Sequence, residues 1–200
     1  MSDGLGSRCA NAAKMIAMAG SIALLASCGG AGLSTMSVSQ ANSELTDGYQ
    51  IDAGDQLKVI VFEEESLTGE YEVGTGGTLA LPLIDALEVR NKQPAEVAQL
   101  IETTLLQGGY VLDPRVSVEI LEHRSFFILG EVAEPGEYTH NGELTFEQAV
   151  AKAGGFSPRA NKSQIVLKRQ TWGEGRMIKL GKGALQIAPG DTITVRESFF

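Results

Sequence analysis

The sequence predicts an α+β protein made of two small β-rich domains, each with one packing helix. Short apolar runs are separated by turn residues, and two segments carry apolar residues at helical spacing. The 24 glycines against six prolines follow no fixed period, which is typical of a turn-rich fold of short strands. With 200 residues, of which 43% are hydrophobic, the chain can bury a real core in one domain or two small ones.

The first residues have the pattern of a secretory signal. Arg8 and Lys14 precede the apolar run 15–26, in the order of a charged region and a short hydrophobic region. That run is too short to span a bilayer core, which takes ~20 helical residues. The pattern therefore predicts export from the cytoplasm.

Residues 25–29, Leu-Ala-Ser-Cys-Gly, resemble the bacterial lipobox. The resemblance implies a lipoprotein signal peptide over 1–27 and lipidation of Cys28, and a glycine after the cysteine favours the outer membrane. The alternative is a buried N-terminal helix in which the cysteine is a small apolar residue. Because small and polar residues follow Cys28, residues 28–48 are predicted to be a flexible tether.

The first folded domain is predicted over residues 49–123. A Gly-Asp turn at 54–55 opens the β-rich run 57–62. The glycine loop 74–77 separates two more strands, and Pro82 places the second of them at an edge or bend.

A helix is predicted over 94–106, since Pro94 suits a first turn and Gly108 a helix stop. Its apolar stripe consists of Val97, Leu100, Ile101 and Leu105. Alternating apolar and polar residues then predict a strand over 114–121 with one buried face.

The second domain is predicted over residues 124–200. A strand begins at 125–132, and Thr145 with Gln148 forms a capping box that starts a helix. The Gly154-Gly155 pair provides the helix exit. Further strands are predicted at 164–169, 176–180 and 192–196, so this order of elements suggests a small β-grasp-like sheet.

The segment 51–59 is echoed by 187–195 in its isoleucine, its Gly-Asp pair and the strand that follows. Repeated turn chemistry is sufficient to explain one match of this length, and a solenoid would need several stacked repeats.

Three motifs follow one another along the first predicted domain: Tyr-x-Ile-x-x-Gly-Asp-x-Leu-x-Val at 49–59, Leu-Pro-Leu-Ile at 81–84 and Asp-Pro-Arg-Val-Ser-Val at 113–118. In this order they resemble the periplasmic polysaccharide export proteins of Gram-negative bacteria. Residues 130–138 and 149–156 resemble the soluble-ligand-binding β-grasp (SLBB) module. The family positions, read as structural, are Tyr49, Gly54, Asp55, Pro82, Pro114, Gly130, Pro135, Gly136, Gly154 and Gly155.

The chain departs from the family pattern at Asp85 and Asn91, where glycine is common, and each change is expected to alter a turn. The chain stops at Phe200 and so resembles the short family members that lack a C-terminal membrane helix.

The resemblance implies an outer-membrane lipoprotein on the periplasmic face, in a machine that exports capsular polysaccharide or exopolysaccharide. Its implied partners are further copies in a homo-oligomeric ring, an inner-membrane polysaccharide co-polymerase or tyrosine kinase, a separate outer-membrane pore protein and the polysaccharide itself. A net charge of -9 without a basic stripe excludes a sequence-independent nucleic-acid binder. No cofactor or metal is implied.

An enzyme acting on glycans is one rival class. A glycosidase needs two carboxylates at a defined separation. Acidic residues such as Glu63, Glu64, Asp85 and Glu143 are abundant, but the sequence does not place any two of them at that separation. His123 and His140 have no nucleophile or metal-ligand motif around them, so both are expected at the surface or at strand ends. The sequence therefore favours a protein that is not an enzyme.

A periplasmic sugar-binding lipoprotein without a transport role is the other rival. Trp172 and Tyr138 could stack on a sugar ring, and Trp172 beside Gly173 is equally a loop residue that covers the edge of the core.

Overall fold

The computed structural model describes residues 33–45 and 48–198, and the predicted signal peptide and Cys28 lie outside them. The helices are α1 (Val38–Ser43), α2 (Pro94–Gln107) and α3 (Phe146–Lys152). The strands are β1 (Thr35–Ser37), β2 (Gln56–Val61), β3 (Gly69–Glu72), β4 (Thr78–Leu79), β5 (Leu87–Glu88), β6 (Val116–Gly130), β7 (Gly136–His140), β8 (Leu144–Thr145), β9 (Ala160–Lys168), β10 (Arg176–Lys179), β11 (Gln186–Ile187) and β12 (Thr192–Glu197).

One eight-stranded sheet joins most of these strands in the order β1-β10-β9-β12-β6-β2-β3, with β7 also paired to β6. Two small pairs, β11-β8 and β4-β5, lie outside it. The pairing is mostly antiparallel, and β12 with β6 and β1 with β10 are parallel. A sheet-rich chain with few helices confirms the predicted α+β class.

The long strand β6 runs through the middle of the sheet. Its first part pairs antiparallel with β2, where Val59 faces Val118, and its last part pairs in parallel with β12, where Ile193 faces Ile128. The sequence predicted separate strands at 114–121 and 125–132, because polar residues interrupt the apolar pattern between them. The predicted division between residues 123 and 124 falls inside this strand and stays a prediction.

Two apolar clusters lie along this sheet. The first packs β2 against α2, whose buried residues Val97, Ile101 and Leu105 form the stripe that the sequence predicted. Glu96 accepts a hydrogen bond from the main-chain N–H of Gln93 at 2.7 Å, so the first turn of α2 is capped as well as started by proline.

The second cluster packs α3 against β6, β9 and β12. The predicted capping box is confirmed: the Thr145 hydroxyl accepts from the Gln148 main chain at 3.3 Å, and the Gln148 side chain accepts from the Thr145 main chain at 2.9 Å. Phe146, Ala149 and Val150 are buried on the inner face of α3.

The tether predicted over 28–48 is wrong for residues 35–43. They form β1 and α1, which we call the N-terminal strap, and β1 pairs with β10 so that Met36 faces Ile178. Val38 and Ala41 are buried in the second cluster. The sequence did not reveal this packing because so short a strand and helix gain their stability from distant residues rather than from their own pattern.

None of the helices within 33–45 and 48–198 combines the length and the apolar character needed to cross a bilayer.

Candidate functional site

The site is built around a buried carboxylate in the first Gly-Asp turn. Asp55 is fully buried, and its carboxylate accepts hydrogen bonds from the main-chain N–H groups of Asp52 and Arg124, each at 2.9 Å. The Tyr49 hydroxyl donates to the same carboxylate at 2.6 Å. The Arg124 guanidinium lies 3.2 Å from it. The turn that opens β2 is thus fixed to the middle of β6.

The second Gly-Asp turn repeats this arrangement. Asp191 is buried and accepts from the main-chain N–H of Ala188 at 2.8 Å and from Arg169 Nε at 3.3 Å. Gly54 and Gly190, which precede the two aspartates, have φ of +88° and +83°, a left-handed conformation that favours glycine. The echo between 51–59 and 187–195 therefore reflects shared turn chemistry.

Both turns meet the same part of β6. Ser125, next to Arg124, accepts a hydrogen bond from the Gly190 main chain at 3.1 Å, and Phe127 donates to the Asp191 carbonyl at 2.9 Å. The pair of Arg124 with Asp55 and the pair of Arg169 with Asp191 therefore both lie close to the middle of β6.

A cavity of about 830 Å³ opens beside these pairs. Its wall is contributed by residues within 42–45 and 48–50, by the middle of β6, by the ends of β7 and β8, and by the segments 169–171 and 186–191. The side chains that line it include Tyr49, His123, Arg124, His140, Arg169 and Asp191.

Three buried polar atoms at this cavity have no hydrogen-bond partner. Among residues 33–45 and 48–198, the buried side-chain atoms without one are Nδ1 of His123, Nε of Arg124 and Nδ1 of His140. All three residues line the cavity. Buried polar groups are nearly always paired, so these three atoms are exceptions to that rule among the described residues.

The geometry fixes the tautomer of His140. This residue ends β7, as the sequence allowed, but it is 3% exposed, so the alternative expectation of a surface position is wrong. Its Nε2 lies 2.7 Å from the carbonyl oxygen of Ile187, which can only accept, so Nε2 carries the proton. Burial lowers the pKa of His140, which keeps the ring neutral and leaves Nδ1 as an acceptor.

The two histidines face each other across the β6–β7 pairing. Their ring centroids are 5.7 Å apart, and the His123 ring contacts the Tyr49 ring edge-on at 4.4 Å. Burial lowers the pKa of His123, while Asp55 opposes that shift. Burial and the hydrogen bond to Asp55 raise the pKa of Tyr49, so its hydroxyl stays a donor. No local sequence signal brings these rings together.

Most of the family positions lie away from the cavity. Tyr49 lines it and Asp55 bonds to two lining residues. Pro82 lies in a turn after β4, Pro114 precedes β6, Pro135 and Gly136 lie at the start of β7, and Gly154 and Gly155 follow α3. Gly130 ends β6 with φ of +85°.

The sequence missed Arg124 and Arg169, because single arginines within or after a strand carry no motif. The internal echo was a usable signal for Asp191, since it aligns that residue with Asp55. Asn91, where the family commonly has glycine, has φ of +59°, a conformation that asparagine tolerates. Asp85 is exposed in the loop before β5.

The candidate carboxylates of the enzyme hypothesis lie on different parts of the fold. Glu143 is exposed at the cavity, whereas Glu63 and Glu64 lie in the turn after β2. Within the part of the chain that the structure describes, no group of three or more histidine, cysteine, aspartate or glutamate side chains could hold a metal ion.

Trp172 covers the core edge instead of offering a free ring face. It is 5% exposed, and its Nε1 donates to Glu44 at 2.5 Å. The guanidinium of Arg176 lies 4.3 Å from the ring centroid, and that of Arg169 lies at 5.2 Å. Tyr138 stacks on Phe126 with ring centroids 5.8 Å apart.

Comparison with known proteins assigns the two halves of the chain. Residues 43–121 match the family described as "Polysaccharide biosynthesis/export protein", and residues 125–181 match the SLBB domain. The chain is 29% identical over 177 residues to "Exopolysaccharide production protein ExoF" of Rhizobium meliloti (strain 1021), covering 83% of this chain and 40% of the relative.

Two further relatives are named "EPS I polysaccharide export outer membrane protein EpsA". The protein from Ralstonia nicotianae (strain ATCC BAA-1114 / GMI1000) is 26% identical over 164 residues, 69% of this chain and 39% of the relative. That from Ralstonia solanacearum is 27% identical over 135 residues, 54% of this chain and 35% of the relative. The chain spans about two fifths of the length of the curated relatives it matches. The chain therefore carries a region that matches the polysaccharide biosynthesis/export protein family, followed by a region that matches the SLBB domain, and its relatives are named as exopolysaccharide production and export proteins.

Proposed function

We propose that this protein is a lipid-anchored component of a machine that exports capsular polysaccharide or exopolysaccharide, held at the periplasmic face of the outer membrane. The observation that carries the proposal is the match of an export-family region and an SLBB region in consecutive parts of the chain. The relatives' names, which include exopolysaccharide production and outer membrane export, support the process and the compartment.

We infer that residues 49–123 act as the export domain and residues 124–200 as the ligand-binding β-grasp domain. Both share β6, so one continuous strand joins the two parts. A subunit joined in this way suits a scaffold role, in which the protein shapes a path for polymer and does no chemistry on it.

The proposed assembly is a ring of identical copies around the polymer path. Among the described residues the large sheet ends in β1 on one side and β3 on the other. Unpaired strand edges can bind another chain, and two different edges give a head-to-tail contact, which closes into a ring when the rotation permits. An acidic chain of net charge -9 would repel an acidic polymer and so limit its adhesion to the path.

The proposed partners are an inner-membrane polysaccharide co-polymerase or tyrosine kinase and, for passage across the outer membrane, a separate pore protein. A lipid anchor at Cys28 would hold the ring at the membrane, because each buried CH₂ contributes ~0.8 kcal/mol and several acyl chains bind firmly.

The test combines the oligomeric mass of the full-length protein extracted from outer membranes with intact mass spectrometry of its N-terminus. A Cys28→Ser variant is the control for the anchor. Lipid on Cys28 in an assembly of many copies, together with loss of surface polymer in a deletion strain, supports the proposal. A monomer without lipid, or normal surface polymer in the deletion strain, contradicts it and favours the sugar-binding alternative.

A further inference from the structure

We propose that one face of the large sheet, in the second half of the chain, docks on the surface of a membrane that contains anionic phospholipid. Six side chains that point away from α3 form this outer face: Phe127, Leu129, Val166, Lys168, Met177 and Lys179. One argument below, the path of the chain, rests on the proposed lipid anchor at Cys28. The apolar and charge arguments do not.

The outer face carries exposed apolar side chains in the middle of the sheet. Phe126 and Ile128 on β6 are buried in the second cluster, which contains α3. Successive side chains of a strand point to opposite faces, so Phe127 and Leu129 point away from that cluster. They are 39% and 43% exposed. No helix or loop therefore covers them in the part of the chain that the structure describes.

Cross-strand pairing extends this face from β6 to β1. One row crosses the sheet through Leu129, Thr194, Val166, Met177 and Thr35. In the next row, Phe127 and Lys168 pair with Thr192 from its two sides. Neither apolar cluster includes the four apolar residues of the outer face. The outer face is thus a surface of its own, separate from both cores.

The outer face is cationic although the chain as a whole is acidic. Half of the 16 lysine and arginine residues fall in 152–182, where Glu174 is the one acidic residue. Lys168 and Lys179 are exposed, and neither has an ion-pair partner within 33–45 and 48–198. Glu137 faces Phe127 from β7, on the side of β6 away from β12 and the lysines. Exposed apolar groups beside unpaired cations suit a surface of anionic lipid headgroups.

The path of the chain brings this face close to the proposed anchor. The main-chain N–H of Met177 donates to the Ser34 carbonyl at 2.8 Å, so the chain enters the sheet beside the outer face. Cys28 precedes Leu33 by five residues, and five residues span at most ~18 Å. A lipid on Cys28 would therefore hold the β1 edge of the sheet near the bilayer surface.

A second copy of the chain suits this face less well than a membrane. A two-fold contact brings the same patch of both copies together. Lys168 and Lys179 of one copy would then lie near the same lysines of the other, and like charges repel. Anionic headgroups remove this repulsion, because they neutralise the lysines while the bilayer accepts the apolar side chains.

The test places a label on the outer face of the full-length protein, extracted from outer membranes and reconstituted in vesicles. Phe127→Cys is labelled with a thiol-reactive fluorescent dye. Leu112→Cys is the matched control, because Leu112 is an apolar residue, 91% exposed, in the loop before β6. Acrylamide quenches a dye that faces water, and a lipid with a nitroxide on its acyl chain quenches a dye that contacts the bilayer. Intact mass spectrometry shows whether Cys28 carries lipid or dye.

We expect protection of the outer face that depends on anionic lipid. In vesicles of phosphatidylcholine and phosphatidylglycerol in equal parts, acrylamide should quench the Phe127→Cys dye at least ~threefold less than in phosphatidylcholine alone. The nitroxide lipid should quench the same dye more strongly in the mixed vesicles. The dye on Leu112→Cys should respond alike in both kinds of vesicle.

A pair of lysine variants tests the charge. Each lysine near an anionic surface favours docking about fivefold, so Lys168→Gln with Lys179→Gln should lower the ratio of docked to undocked protein about 25-fold. Protection of the dye should then be lost. Lys92→Gln with Lys152→Gln removes the same charge before α2 and on α3, and should leave the protection unchanged. Thermal unfolding of each variant shows that it is folded.

Three outcomes would overturn the inference. Protection of Phe127→Cys that is equal in phosphatidylcholine alone, without quenching by the nitroxide lipid, would show that another copy or another protein covers the face. Equal protection at Leu112→Cys would show that the contact is not specific to the outer face. Unchanged protection in the Lys168 and Lys179 double variant would show that charge does not drive it.

These outcomes are distinct from failure of the export proposal, which appears as an unlipidated monomer or as normal surface polymer in the deletion strain. Protection of Phe127→Cys in a protein without lipid on Cys28 would support the outer face and remove the anchor. A lipidated protein without this protection would keep the anchor and overturn the docking face.

Discussion

The main-chain N–H of Arg124 donates to the carboxylate of Asp55 at 2.9 Å, although 69 residues separate the two in the chain. The same carboxylate accepts from the Tyr49 hydroxyl and from the Arg124 guanidinium. One buried aspartate therefore joins the opening turn of the first half to the centre of the strand that both halves share.

Replacing this carboxylate is expected to destabilise the whole sheet. Asp55→Ala leaves the Arg124 guanidinium and two main-chain N–H groups without their buried acceptor. Removing one partner of a buried pair costs ~3–5 kcal/mol, which urea denaturation would record as a lower midpoint. Arg115→Ala is the control, because its pair with Asp113 is exposed and should change the free energy of unfolding by less than ~1 kcal/mol. Equal effects of the two substitutions would contradict the role of Asp55.

Gly130 is expected to tolerate no side chain. Its φ is +85°, and a Cβ at this position would lie 2.1 Å from the carbonyl oxygen of Val195 on β12. Gly130→Ala should therefore lower the free energy of unfolding by at least ~2 kcal/mol through backbone strain and overpacking. Gly109→Ala is the matched control, since Gly109 also has a positive φ, +69°, but nothing lies within 4 Å of its Cβ. A loss in Gly130→Ala no larger than in the control would show that β6 and β12 can separate at this point.

The N-terminal strap should stabilise the second cluster. The fluorescence of Trp172 can report whether the strap is in place. Trp172 is the single tryptophan, and its ring nitrogen donates to Glu44, the residue that follows the strap. Asn42 fixes the strap by donating to the Ala184 carbonyl at 2.8 Å and accepting from the Gln186 main chain at 2.9 Å.

A protein that lacks residues 1–45 should show red-shifted tryptophan emission and a lower urea midpoint. A protein that lacks residues 1–32 is the control, because it keeps β1 and α1. Identical emission and stability in the two truncated proteins would mean that the strap contributes nothing to the fold in solution.

The buried histidines predict a loss of stability in mild acid. Burial lowers the pKa of His123 and of His140 below 6.5; Asp55 opposes the shift of His123, and Arg124 and Lys152 add to that of His140. Below pH 6.5 the unfolded chain binds protons that the folded chain does not, so the free energy of unfolding falls as the pH falls. Stability should be full above about pH 6.5 and decline below it.

A double variant, His123→Gln with His140→Gln, should lose this decline in urea denaturation followed between pH 7 and pH 5. Burial raises the pKa of Asp191 to about 6, so this group acts with the opposite sign and favours the folded state as the pH falls. Because Asp191 titrates in both proteins, its contribution cancels in the comparison. Parallel pH profiles for the two proteins would show that the histidines titrate alike in the folded and unfolded states.

Local signals in the sequence were enough for several elements. The capping box of Thr145 and Gln148 and the apolar stripe of α2 depend on residues within one or two helical turns, so helix positions could be predicted. The Gly-Asp turns at 54–55 and 190–191 depend on residues three positions apart. The order of the family motifs along the chain is also a property of the sequence alone.

The sequence could not place contacts that join distant segments. The strap was mistaken for a tether because its anchors, Asn42 with Ala184 and Gln186, are more than 140 residues apart. Because the centre of β6 is charged, the sequence predicted two strands where the structure has one. Pairing with β2 along its first part and with β12 along its last part makes the strand continuous.

The sequence by itself therefore determined α2, α3, the two Gly-Asp turns and the resemblance to the export family, because periodicity, caps and turn residues act over a few positions. Only the tertiary structure decided which polar groups became buried and which of them remained unpaired. His140 has the same local sequence whether it faces water or the Ile187 carbonyl, and its burial follows from the pairing of β7 with β6 and the approach of the second Gly-Asp turn. The cavity exists for the same reason: several segments far apart in the chain meet around Arg124 and leave a space that none of them encodes alone.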